Sequence, residues 1–516
     1  MRVERSIKNF IYGGIAQVAS SCLSFLTRMV LIRTLGAEAV SLNGLFTEVI
    51  AMLSLAEMGV GTAITYNLYK PLRDHNEKKL AELINLFKNA YRAISALIFT
   101  VGLCILPYVH LFVSRIRIDL GYLRLVYFFF LVQTASSYLF SYKASLLYAD
   151  QKMYIVSKYT MIIKMLMAGF SILILILTRK YLIYLFCQII TTLAVNILIS
   201  RKADCLYPFL KRSDRLSVEE RKSVFSNIRH LFIANLSGKI TNSTDNILIS
   251  MLVGTLHIAA YGSYSMLTNS FSAVMTQLNS ATSGSVGNLM AEGDKRHMDE
   301  VLRRLTFVTY CPAVLCANGV CCASTAFVSS VFGKEYMWPQ AVVAVVSFNF
   351  FISLIKNPLW QMMQVSGLFA RDKNISIAGS TINLILSVVL GSRYGIIGIL
   401  LGTTSTYLVQ IILKIKLLYR DFFFLSGGKY SFLIARLSLA YLSSAVLSHF
   451  LGRWFTVTLN IYQEFLIRGV ISVVVAGSLT VLLFGHSEEM KYAVQLWKNI
   501  RKKFKGSKKG EQECQG

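Results

Sequence analysis

Four basic residues, Arg28, Lys164, Lys239 and Lys356, stand inside apolar runs long enough to cross a bilayer. A cation at the centre of a lipid-facing helix costs about 2.5–3.5 kcal/mol on insertion scales, so such side chains turn toward protein or a wet cavity. Their neighbours at helical spacing are amides and hydroxyls. In SGKITNSTDNILIS, residues 237–250, Lys239, Asn242, Asn246 and Ser250 fall on one face with Asp245 at its margin, while Ile240, Ile247 and Leu248 lie opposite. Gln17, Ser21, Ser24 and Arg28 form a second stripe, and Ser157, Thr160, Lys164 and Ser171 a third. A fourth holds Asn349, Ser353, Lys356, Trp360 and Gln364, and a fifth, without charge, holds Thr268, Asn269, Ser272, Thr276, Gln277 and Ser280. Against these cations the spans set Glu57 and Asp245; Glu48 falls on the other side of its helix from Glu57 and is left off the cavity. A surplus of buried cations asks for an anionic ligand. Serine and threonine alone would read as packing residues, and the cations could instead close structural ion pairs with the acids. The excess of cations over acids favours binding.

The elements that position these residues must be membrane helices. Charged residues make up 15% of the 516-residue chain, hydrophobic ones 54%, and apolar runs recur along its length. At about 20 residues per crossing, fourteen spans are predicted: 11–33, 40–66, 91–113, 121–148, 158–178, 181–200, 230–253, 257–289, 305–330, 339–366, 374–391, 395–417, 431–451 and 464–485. No alternating segments suggest a barrel, so the fold class is an all-α polytopic membrane protein. Pro358 should kink the tenth span beside Lys356. MRVERSIKNF has the basic flank of a signal peptide, but the following segment is long and polar-striped, so an uncleaved first span is expected.

The net charge of +27 would suit nucleic acid if it were spread over a surface. Most of the 53 lysines and arginines instead collect on one side of the predicted topology, in the 67–92, 201–229 and 290–304 connections and the tail RKKFKGSKK. The positive-inside rule then puts both termini in the cytoplasm, and the charge reads as topology and attraction to anionic membrane lipid. The nine cysteines show no paired CxxC spacing and sit mostly in apolar runs, where they read as small core residues; no metal site is expected.

LIRTLGAEAVSLNGLF from Leu31 aligns with ISMLVGTLHIAAYGSY from Ile249, matching Gly36 to Gly254 and Gly44 to Gly262. Six spans separate the copies, and an even number implies parallel repeats. The expected organisation is two pseudo-symmetric six-helix lobes around a central cavity, 1–200 and 230–417. A basic cytoplasmic linker joins them at 201–229, two appended helices follow in 418–485, and a basic tail occupies 486–516.

SIKNFIYGG, FLTRMVLIRTLGAEAVSLNGLF, MLSLAEMGVGTAITYNLYKPL and SGKITNSTDNILISMLVG resemble the lipid-linked polysaccharide flippases of the multidrug, oligosaccharidyl-lipid and polysaccharide exporter superfamily. The resemblance implies a flippase of a bacterial inner membrane that moves an undecaprenyl-pyrophosphate-linked oligosaccharide from the cytoplasmic to the outer leaflet, for O-antigen or capsule synthesis. It implies no catalytic residue and no cofactor beyond a coupling H⁺ or Na⁺. A polysaccharide polymerase and a chain-length regulator are the implied protein partners. The family's acidic position falls on Glu57, its basic position on Arg28 and its aspartate on Asp245. On this reading Arg28, Lys164, Lys239 and Lys356 hold the diphosphate, and Gln17, Ser24, Asn242, Asn246, Asn269, Gln277, Trp360 and Gln364 line the cavity for the sugar. Glu57 and Asp245 take the coupling ion. A flippase of the peptidoglycan lipid precursor would share this chemistry. A cation-coupled multidrug exporter of the same fold would want a net acidic cavity. A membrane polymerase or glycosyltransferase would want a large outer loop or a carboxylate cluster for Mg²⁺, and neither is visible.

Overall fold

A computed structural model describes residues 2–54, 67–68, 71–114, 118–150, 152–211, 216, 244–292, 294–366, 368–456, 459–495 and 498, and their side chains except at 2–18, 211, 277–292, 364–365 and 369–370. The described residues contain helices and no strands. In chain order these are α1 (Arg2–Leu53), α2 (Glu77–Ile105), α3 (Leu120–Ala149), α4 (Met153–Thr178), α5 (Tyr181–Leu206), α6 (Thr244–Val253) and α7 (His257–Glu292). They continue with α8 (Lys295–Val331), α9 (Gln340–Ile355), α10 (Asn357–Val365), α11 (Phe369–Tyr394), α12 (Ile396–Leu418), α13 (Gly428–Phe455) and α14 (Ile461–Phe484). Among the described residues, 11 helices are long and apolar enough to cross a membrane. The fourteen-span plan is kept: Gly36 divides α1 into two spans, α6 is the described end of the seventh, and α7 is the eighth.

The glycines matched in the repeat do matched work. Gly36 (φ 79°) and Gly254 (φ 142°) both turn the chain between two spans in backbone conformations that a Cβ disfavours. Eight residues further on in each copy, Gly44 and Gly262 are close-approach positions: a Cβ would come within 2.7 Å of Ile258 Cγ2 at Gly44 and within 2.5 Å of Arg28 Nη2 at Gly262.

Two connections depart from expectation. The stretch 67–92 is predicted as a loop, yet α2 begins at Glu77, with Asn76 Oδ1 capping Lys79 N at 2.9 Å. Its charges ride on an amphipathic first turn whose other face buries Leu80, Leu83, Ile84 and Phe87. The 290–304 connection likewise contains the start of α8, where Asp294 caps Arg296 N and His297 N. Charge in both segments marks the end of the hydrocarbon and not the end of the helix. The tenth span breaks where Pro358 predicts it: α9 stops at Ile355, and Pro358 occupies the first turn of α10, where a missing N–H costs nothing.

The chain divides into two compact units, Met1–Met266 with Ser376–Thr403, and Leu267–Ile375 with Thr404–Gly516. In the first, α1 packs on α4, α2 on α3, and α3 on α5. Phe46 meets Tyr127 edge-on at 5.5 Å, and Tyr91 stacks on Tyr138. In the second, α9, α13 and α14 all pack on α8. Phe351 lies flat on Tyr441 at 4.3 Å, and Asn318 donates to Ser448 Oγ at 2.9 Å and to Ser472 O at 2.8 Å. The last two helices are therefore built into the second unit's core, although hydropathy alone reads them as an appendage. Cys187, Cys321 and Cys322 are buried as expected, whereas Cys22 and Cys104 are exposed. A thiol is as compatible with the apolar outside of a membrane helix as with its inside.

Candidate functional site

In the second unit, the helix break places Lys356 at the joint of α9 and α10, with Trp360 one turn later on the same face. Lys356 Nζ lies 3.5 Å from the Tyr407 ring centroid and 5.1 Å from that of Trp360. Seven residues beyond Tyr407 on α12, and so on the same face, Lys414 is fully buried with Nζ 3.9 Å from the Trp360 centroid. Lys414 is paired with Asp372 of α11, the one carboxylate that pairs with either lysine among the described residues. Beside them Thr404 donates to Asn349 Oδ1 at 2.6 Å within the buried layer. The cluster thus holds two lysines, one carboxylate and two aromatic faces. Each desolvated cation over a ring gains about 2 kcal/mol, which offsets part of its dehydration but leaves one positive charge in excess.

In the first unit the sign is reversed. Asp245 on α6 is 6% exposed. Its carboxylate accepts from Thr403 Oγ1 at 3.3 Å and from Tyr261 OH at 3.4 Å. Asn383 ties the site together: its amide nitrogen donates to Thr403 Oγ1 at 3.1 Å, and its oxygen accepts from Thr244 Oγ1 at 3.4 Å. Among the described residues no cation pairs with Asp245; the charged neighbour that acts on it is Glu48. The Asn246 side-chain oxygen is buried without a hydrogen-bond partner. This is an acid held by neutral donors in long hydrogen bonds.

Residues 6–286 match the sequence signature of the family described as polysaccharide biosynthesis protein. The chain belongs to this family. No curated protein matches it by sequence. Among solved structures it is similar to the lipid II flippase MurJ in an inward closed conformation, with a TM-score of 0.67, 14% identity, and coverage of 92% of this chain and 99% of that one. It is also similar to an inward-facing multidrug resistance MATE transporter of the MOP superfamily (TM-score 0.58, 15% identity, 76% and 93% covered). The eukaryotic MATE transporter AtDTX14 matches at a TM-score of 0.54 with 12% identity, covering 84% of this chain and 99% of that one. This polysaccharide biosynthesis family member therefore has the MOP-superfamily fold, that of the multidrug, oligosaccharidyl-lipid and polysaccharide exporters.

Within the family member, the structure gathers some of the sequence-predicted residues and scatters others. Lys356 and Trp360 meet in one cluster. Arg28 is half-buried; its Nη2 donates to Ala259 O at 2.6 Å and its Nε to Ser263 Oγ at 3.4 Å, with the guanidinium laid against Gly262. Lys164 is exposed on α4 beside exposed Met165 and Leu166, and no other cation is gathered to it. Ser24 and Asn269 are exposed on α1 and α7. Lys239, Asn242 and Glu57 lie outside the described residues, as do the side chains of Gln17, Gln277 and Gln364.

Sequence reasoning passed over Lys414 because it lies at the basic end of an apolar run, LVQIILKIKLLYR, and reads as a flank. The signal was the stripe Thr403, Tyr407, Gln410 and Lys414 at i, i+4, i+7 and i+11, one continuous polar face.

Proposed function

We propose that the protein is a flippase that carries an undecaprenyl-pyrophosphate-linked oligosaccharide from the cytoplasmic to the outer leaflet by alternating access, for surface polysaccharide synthesis, and that it catalyses no covalent step. The observation that supports this reading is half-buried Lys356 beside fully buried Lys414, with Asp372 the one carboxylate that pairs with either among the described residues. A diphosphate supplies the missing negative charge and can displace Asp372 as the partner of Lys414. The prenyl chain can stay in lipid. Arg28, Lys164 and Lys239 are the proposed cations of the first unit. A net positive site disfavours a cationic drug as cargo.

Asp245, with Thr403 and Tyr261 as neighbouring oxygens, is the proposed seat of the coupling H⁺ or Na⁺, with Glu57 as a second acid. Among the described residues no cation pairs with this buried carboxylate, and either ion would stabilise it. The polymerase and chain-length regulator of the same surface polysaccharide are the expected protein partners.

The test is deletion of the gene in its host followed by analysis of the lipid-linked saccharides on the cytoplasmic face. The expected result is accumulation of one undecaprenyl-diphosphate oligosaccharide, relieved by the wild-type gene and not by Lys414→Met. Accumulation of the peptidoglycan precursor would reassign the cargo, since that lipid presents the same diphosphate. Drug sensitivity with no accumulated lipid would refute the flippase reading.

A further inference from the structure

A cavity of about 600 Å³ opens in the first unit between the second half of α1, the middle of α3 and α5, all within candidate spans. Its size lies in the range that holds small ligands, about 300–1,000 Å³. Among the described residues no charged side chain lines it; the polar lining is hydroxyls and one amide, with Phe130 as an aromatic wall. The directions of the hydrogen bonds decide what it can take. Thr47 donates to Asn43 O at 2.6 Å, Ser54 to Ile50 O at 3.0 Å, Ser137 to Thr134 O at 2.7 Å and Thr192 to Gln188 O at 2.9 Å. Each of these hydroxyl protons is spent on the residue's own helix, and a hydroxyl has one proton but two acceptor positions. Gln133 directs its amide nitrogen at Thr192 Oγ1, 3.3 Å away. Thr134 and Tyr138 add two further hydroxyls; with the protons of the other four spent, the described wall offers a ligand more acceptor positions than donors.

A ligand that satisfies such a wall brings many donors and no charge. An anion would face oxygen lone pairs, with no cation among the described lining residues to receive it. A bare metal cation needs oxygens converging at about 2.3–2.6 Å, and a cavity of this volume cannot supply that. A lipid chain would leave the oxygens unsatisfied. A sugar ring has the right inventory: several O–H donors around its rim and an apolar face for Phe130.

We propose that the cavity between α1, α3 and α5 is a subsite for uncharged sugar rings, which donate their hydroxyl protons to Thr47, Ser54, Gln133, Ser137 and Thr192. The subsite rests on the flippase reading for its cargo, and it assigns the saccharide to the first unit, on residues separate from the lysine cluster. It selects neutral over acidic rings, because a carboxylate or sulfate would be placed among acceptors.

The test uses the full chain in lipid nanodiscs and two probes, undecaprenyl diphosphate and undecaprenyl diphosphate carrying N,N′-diacetylchitobiose. The wild type should bind the glycosylated lipid more tightly. Gln133→Leu should reduce that preference about fivefold, the worth of one to two hydrogen bonds, without changing affinity for the bare diphosphate. Ser137→Ala removes one oxygen with little change in bulk and should give a smaller loss of the same kind, which keeps the test usable if Gln133→Leu does not fold. Equal binding of the two probes by the wild type, or an unchanged preference in Ser137→Ala and in a folded Gln133→Leu, overturns the subsite. If the wild type binds neither lipid, the diphosphate reading has failed instead. The subsite is then read by whether free N,N′-diacetylchitobiose protects Ser137→Cys from a maleimide, scored on that peptide by mass spectrometry; protection supports it and its absence overturns it.

Discussion

The acid site of the first unit and the lysine site of the second carry charge of opposite sign and hold it by different means. Among the described residues, Asp245 in the first unit is held by neutral donors, Thr403 and Tyr261, with Asn383 behind them. In the second, Lys356 lies over the faces of Tyr407 and Trp360, and Lys414 lies over Trp360 and pairs with Asp372. The difference follows from what protein groups can offer. An anion can be held by hydroxyl protons that leave room for an ion, whereas an ammonium has only donors and must be given π-faces or a carboxylate. The acidic site is thus suited to a small cation and the basic site to a larger anion that replaces Asp372.

The largest effect that could break this contrast is expected at Lys414. Lys414→Met leaves half-buried Asp372 without this partner and should destabilise the protein by up to about 3 kcal/mol, read as a fall in its melting temperature in detergent. Adding Asp372→Leu should restore stability without restoring flipping; recovery of flipping in the double variant would reduce the pair to a structural ion pair. The next effect concerns how tightly Arg28 is held. Gly262→Ala puts a methyl against its guanidinium and should cost about 1–3 kcal/mol. By contrast, Gly477→Ala on α14, where a Cβ meets nothing within 4 Å, should stabilise by up to about 1 kcal/mol, measured in the same melt.

Asp245→Asn keeps the shape of the acid and removes its charge. Flipping should lose its dependence on an applied H⁺ or Na⁺ gradient, a fall of about tenfold in the gradient-driven rate or some 1.4 kcal/mol, while fold stability is kept. An unchanged gradient dependence would remove Asp245 from coupling and with it the functional half of the contrast. The smallest effect is expected from Trp360→Leu, which takes the ring from under both lysines and should weaken binding of undecaprenyl diphosphate by about 1 kcal/mol, measured by titration in nanodiscs.

Much of this was legible beforehand. Helical phase put Lys356 and Trp360 together, Pro358 announced the break beside them, and the pairing of Gly36 with Gly254 and Gly44 with Gly262 recurs as matched turns and matched close approaches. Phase has no access, however, to a residue's neighbours on other helices. Lys164, on a polar stripe, stands exposed, whereas Lys414, at a span's basic end, is fully buried.

By itself the sequence determined the membrane class, the helical crossings and their breaks, because these depend on local hydropathy, on glycine and proline, and on the need of every backbone group for a partner in lipid. Tertiary structure decided which charges meet. Asp372 reaches Lys414 from α11, and Thr403 and Tyr261 reach Asp245 from α12 and α7. It also decided that α1, α3 and α5 leave a cavity among them that no charged side chain lines among the described residues. The physical reason is that a helix specifies which of its residues share a face, while the partner of that face is set by packing between segments far apart in the chain.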